Sequence, residues 1–167
     1  MEIKLQIVSQ IKMSVVKQTL GETGTSNSME MDELVNYELL VLVNVLLHSS
    51  YQFFLLRSIG DSLVMQSSTW IMEKKDNKCR DCAVKIMNWI IENNGYLELA
   101  DISKPTFNEY KLDGEFFFTR LAEVDKWIER NFFDIKEKIH RSDYEKKNEV
   151  ILMLEGSLSH VLTRGYF

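Results

Sequence analysis

Proline, glycine and cysteine are scarce in this chain, and each scarcity excludes something. One proline, Pro105, and seven glycines in 167 residues leave long windows free of the residues that break regular structure, so helix is the default conformation. Two cysteines, Cys79 and Cys82, cannot build a disulfide framework, and their single CxxC lacks the two further ligands of a structural zinc site. Charge of one sign is nowhere concentrated: 20 Lys and Arg stand against 25 Asp and Glu, a formal net charge of -5 with no long basic block. A surface that tracks phosphates is therefore not expected, and nucleic acid is not among the expected partners. The first residues, MEIKLQIVSQIKMSVVKQ, scatter Lys and Gln among the apolar positions where a cleaved leader needs an unbroken apolar run. The cytoplasm is the expected location.

What the chain has in quantity is apolar side chain: 45% of residues, with nine Phe, six Tyr and three Trp, enough for one domain with a real core. Residues 1–28 are read as an N-terminal segment with an amphipathic stripe, Ile3, Ile7, Ile11 and Val15, followed by the turn-rich linker GETGTSNS. The bundle is expected over residues 29–167. Its first helix, 31–57, opens with Asp32 and Glu33 and carries LLVLVNVLLHSSYQFFLL, apolar on nearly every side. Such a helix must be buried, and Asn44, His48, Ser49, Ser50 and Gln52 argue against a membrane span. Residues 62–93 place Met72, Cys79, Cys82, Ala83, Ile86, Trp89 and Ile90 at helical spacing, with a left-handed stop at Asn94-Gly95. A third helix over 111–139 carries Phe117, Leu121, Val124, Ile128, Ile135 and Ile139. A fourth, from Asp143, carries Ile151, Leu154, Leu158 and Val161 over about 20 residues.

The connection between the second and third helices has geometric consequences. A 28-residue helix is about 42 Å long, and the stretch from Asn94 to Tyr110 can reach about 50 Å when extended. The predicted architecture is an all-α four-helix bundle in which this one long crossover lets the second and third helices lie parallel. Tyr96, Leu97, Leu99 and Ile102 would hold the crossover against the bundle's side.

The residues themselves resemble the ferritin family, the insect members most. VNVLLHSSYQFF at 43–54 is similar to the family's first-helix pattern of Asn, a Leu-Glu-Leu step and Ser-Tyr-x-Tyr. The second helix has the family's Ala-x-Lys-Ile-Met step at 83–87, and NNGYLELADISKP at 93–105 is similar to the crossover segment. The resemblance covers residues 31–140. It implies a ferritin-like subunit with a light-chain character, because the di-iron ligands of catalytic members are replaced. Their first-helix glutamate falls on Leu46, the neighbouring tyrosine on Phe53, the second-helix Glu-x-x-His pair on Cys79 and Cys82, and a third-helix carboxylate near Glu123 or Asp125. The family's fifth helix has no counterpart before Phe167. The resemblance thus implies a non-catalytic subunit that stores iron as ferric mineral alongside other, heavy-type ferritin subunits, the alternative being a ferritin-derived interaction protein that no longer binds iron.

Five residues are metal candidates on this reading: Cys79, Cys82, Asp81, Glu123 and Asp125. Cys79 and Cys82 share one helical face and admit three readings: buried core thiols, a soft-metal or redox pair of depressed pKa, or an intermolecular link. Glu73 to Asp81 reads as a solvated charged face, with Asp76 and Asp81 turned to a mineral cavity as the functional alternative. His48 reads as a core histidine, and His140 and His160 as helix-end residues. The shortened fourth helix is expected to leave Leu46, Phe53 and Phe54 thinly covered.

Overall fold

A computed structural model describes residues 31–62, 66–100 and 114–162, and all the regular structure in them is α-helix. Four helices follow in order: α1 Glu33–Ser62, α2 Gln66–Glu92, α3 Gly114–Arg141 and α4 Lys147–Val161. The N-terminal segment and linker, Ile102 and Pro105 lie outside the described residues.

The boundaries follow from local chemistry. Asp32 caps α1, its carboxylate accepting a bond from the Val35 N–H at 3.1 Å while its carbonyl accepts from the Asn36 N–H. α2 ends as the Asn-Gly pair requires: Asn94 takes a φ of 60°, its N–H bonds to the Ile91 carbonyl, and the Gly95 N–H bonds back to Ile90 at 2.8 Å. This is a Schellman stop with asparagine in the left-handed position. Gly95 must stay small, because a Cβ there would stand 2.6 Å from Ile90 and 2.9 Å from Met31.

α4 departs from expectation. It begins at Lys147, four residues after Asp143, and runs for 15 residues with no side-chain cap at Lys146. Tyr144 is used otherwise, packing edge-on against Trp89 of α2 at 6.5 Å, and Lys147 donates to the carbonyls of His140 and Ser142 at the end of α3. The residues expected to open α4 serve instead as the α3–α4 turn.

α1 packs on α2 and α3, α4 packs on the same two, and neither diagonal pair is in backbone contact. At one end of α1, Asn36 lies beside Tyr96 just past α2, and Glu38 faces Lys138 at the end of α3. At the other end, Gly60 lies close to Thr69 early in α2 and to Phe117 early in α3. α1 is therefore antiparallel to both. Asn93 at the end of α2 accepts a bond from Lys146 before α4, so α4 is antiparallel to α2 as well.

α1 is the central element. By length and composition it could cross a membrane, but 78% of its most apolar window is buried inside the fold. Leu46 and Phe53, expected to be thinly covered, are fully buried. Flanking α2 and α3 cover both, and of the three only Phe54 is exposed. Leu97 and Leu99 also remain exposed, so the start of the connecting segment is held differently. The buried Asn36 side chain grips the Tyr96 peptide from both sides, donating to its carbonyl and accepting from its N–H, each at 3.1 Å.

Candidate functional site

The core seam of α2 runs Met72, Lys75, Cys79, Cys82, Ile86 and Ile90, in steps of three or four. All of them are buried. Lys75 occupies a position where periodicity calls for an apolar residue, and its neighbour Asp76 is buried with it. The expectation of a wholly solvated face from Glu73 to Asp81 is thereby corrected: the helical repeat turns Lys75 and Asp76 inward.

Both charges are compensated. The Lys75 ammonium donates to the two carboxylate oxygens of Asp125 on α3, at 2.9 and 3.1 Å, and stands 5.7 Å from the centre of the Phe53 ring. Asp76 accepts a bond from the Ser50 hydroxyl of α1 and pairs with Arg80, whose Nε also donates to Ser50 at 2.9 Å. Nearer the base of α1, buried Glu38 faces Lys138 at 3.6 Å. The interior is thus crossed by ion pairs that join α1, α2 and α3.

The sequence-derived candidates are dispersed among these elements. Cys79 and Cys82 are free and buried. Burial is the main cause that pushes the Cys79 thiol far up, and Cys82 and Asp125 add to it against the opposing Lys75; Cys82 is pushed to about 12 by burial, with Lys85 opposing. These directions suit the core-thiol reading and run against a redox pair of depressed pKa. Asp125 is committed to Lys75. Glu123 points away from the interior and pairs with Arg120 at 2.9 Å, and Asp81 is exposed on α2. His48 is fully buried, edge-on to the Trp127 ring at 5.4 Å, while His140 and His160 are exposed.

A pair of irons needs hard oxygen and imidazole donors. The positions implied for them hold Leu46, Phe53, two protonated thiols and one carboxylate already bound to an ammonium. Those residues do not fit a di-iron group. Among the described residues no three His, Cys, Asp or Glu side chains gather in a way that could hold a metal ion.

Lys75 is what the sequence reading missed, although the signal was there: the seven-residue step from Met72 to Cys79 leaves one core position unfilled, and residue 75 occupies it. The Asp125 partner lies 50 residues on, beyond the reach of any local pattern. No protein-family model matches the chain, and no curated protein or solved structure matches it.

Proposed function

We propose that this chain is a non-catalytic ferritin-like subunit, a helical component of a mixed iron-storing assembly in which a heavy-type partner carries out iron oxidation. The observation that carries the reading is the direction of the helices. Because α1 is antiparallel to both α2 and α3, those two run parallel, and the end of α2 and the start of α3 sit beside opposite ends of α1. That arrangement supports a single long crossover of the ferritin kind, agreeing with the quoted resemblance at 43–54, 83–87 and 93–105. The Lys75–Asp125 pair supports the non-catalytic part, since a buried ammonium opposes a cation at the same place.

The test is co-expression with a heavy-type ferritin subunit, followed by size-exclusion chromatography and iron loading. This reading expects both chains in one large particle that takes up ferric iron. The rival reading, an interaction protein that has lost iron, is favoured by the commitment of Asp125 to Lys75. It expects this chain to elute apart from the heavy-type shell and to retain no iron.

A further inference from the structure

A half-open cleft of about 390 Å³ lies between α1 and α3, and the bundle reading above has no use for it. Its charge is opposite to that of the chain. Arg120, Lys126 and Arg130 line it against the single carboxylate of Glu123, whereas the whole protein carries -5. Arg120 pairs with Glu123, but Lys126 and Arg130 make no ion pair among the described residues. These two stand four apart on α3, where like charges repel and destabilise the helix. A bound anion removes that repulsion.

A second observation comes from the other helix. Gln52 of α1 lines the same cleft and is only 4% exposed, yet its amide has no hydrogen-bond partner among the described residues. The amide is not one of the fully desolvated polar atoms, so it opens into the cleft with its hydrogen-bonding capacity unused by the rest of the described fold. A ligand atom in the cleft would supply the missing bond. A third wall is aromatic: Trp127 lines the cleft beside Val124, and its ring is held edge-on by fully buried His48.

We propose that this cleft binds a small aromatic anion, its phosphate or carboxylate held by Lys126 and Arg130, its ring set against Trp127 and its edge bonded to Gln52. The three parts match the three needs of such a molecule: charge-assisted donors for the anionic head, an indole for the ring and a neutral amide for orientation. The inference is independent of whether the chain joins a ferritin shell.

Isothermal titration of the full chain with 1-naphthyl phosphate, 1-naphthoate, inorganic phosphate and neutral 1-naphthol tests it. The expected result is saturable one-to-one binding of a naphthyl anion, weakening as salt is raised, with naphthol and inorganic phosphate each at least about tenfold weaker. Tighter binding of the phosphate or of the carboxylate identifies the head group. Lys126→Gln with Arg130→Gln, both at exposed positions, should weaken binding at least about tenfold while leaving the circular dichroism and urea midpoint near those of the parent. Gln52→Leu should weaken it about fivefold, and Lys85→Gln on α2 should not change it. The proposal is overturned by absence of saturable binding of both naphthyl anions, by naphthol or inorganic phosphate binding as tightly, or by a Lys126/Arg130 double variant that keeps full affinity.

Discussion

Lys75 and Asp125 join two helices whose backbones are not in contact: α2 and α3 stand across the bundle's diagonal, and the lysine reaches through the core to bond both carboxylate oxygens. The lysine side chain is 3% exposed and the aspartate's 32%, so the pair is dry at one end and wet at the other. Removing either partner therefore has unequal effects.

Asp125→Asn leaves the buried ammonium without its counter-charge and should cost about 2–3 kcal/mol, below the range for fully buried pairs because water reaches the carboxylate. Lys75→Met leaves a carboxylate that water can solvate and a side chain suited to the seam, and should cost less than about 1 kcal/mol. Urea unfolding of the two variants checks the order; equal losses would mean that the pair is solvated at both ends.

The raised thiols tie stability to alkaline pH. An unfolded cysteine loses its proton near the ordinary value of 9.0, whereas Cys82 in the fold holds its proton to about 12 and Cys79 beyond that. Above pH 9 the unfolded chain thus binds fewer protons than the folded one, and stability falls as pH rises. Each cysteine contributes a slope of up to about 1.4 kcal/mol per pH unit. Between pH 9 and 10, below the titration of Tyr37 and Tyr144, whose pKa values burial also raises, Cys79→Ala with Cys82→Ala should flatten this fall. The same thiols should ignore a water-soluble disulfide reagent at pH 8 until urea unfolds the chain.

Asn36→Leu removes both bonds to the Tyr96 peptide, leaving a carbonyl and an N–H to find water. The expected loss is about 1–3 kcal/mol by thermal or urea unfolding. Asn36→Asp keeps the acceptor but buries a carboxylate against the Tyr96 carbonyl oxygen, so at neutral pH it should cost at least as much as Asn36→Leu.

The isolated chain should oxidise ferrous iron no faster than buffer does, because Leu46, Phe53, Cys79 and Cys82 stand at the positions where the ferritin resemblance would put the oxygen and imidazole donors of a di-iron site. Oxygen consumption on adding ferrous iron anaerobically prepared measures this directly. Rapid uptake saturating near two irons per chain would refute it.

Much of the frame was legible because it depends on neighbours in sequence. Asp32 before an apolar run and Asn94-Gly95 after one mark helix ends through backbone geometry alone. The sequence places the α4 start too early because Asp143 and Tyr144 look like a helix opening, whereas Tyr144 is held by Trp89, 55 residues earlier. From the sequence alone Lys75 reads as surface, because a run of charges reads as solvated. Its inward turn shows in the heptad count, but its tolerance depends on Asp125 across the core. The cleft was invisible for the same reason: Gln52 looks like one polar interruption in α1 until α3 brings Arg130 to it.

The brevity of α4 divides the bundle into unequal parts. Its 15 residues span about 22 Å beside the about 45 Å of α1, with which it has no backbone contact, and it rests on α2 and α3 without a side-chain cap at its start. The ion pairs that cross the interior link α1, α2 and α3, while α4 contributes Glu155 to a partly exposed pair with Lys136. The least costly excursion from the native state is thus the detachment of α4 as a cooperative unit, leaving the other three helices in place. Amide hydrogens of Ile151 to Val161 would exchange through that opening, well ahead of the global unfolding that governs Leu39 to Leu46, and each opening would bare the apolar groove between α2 and α3 to any helix able to replace it.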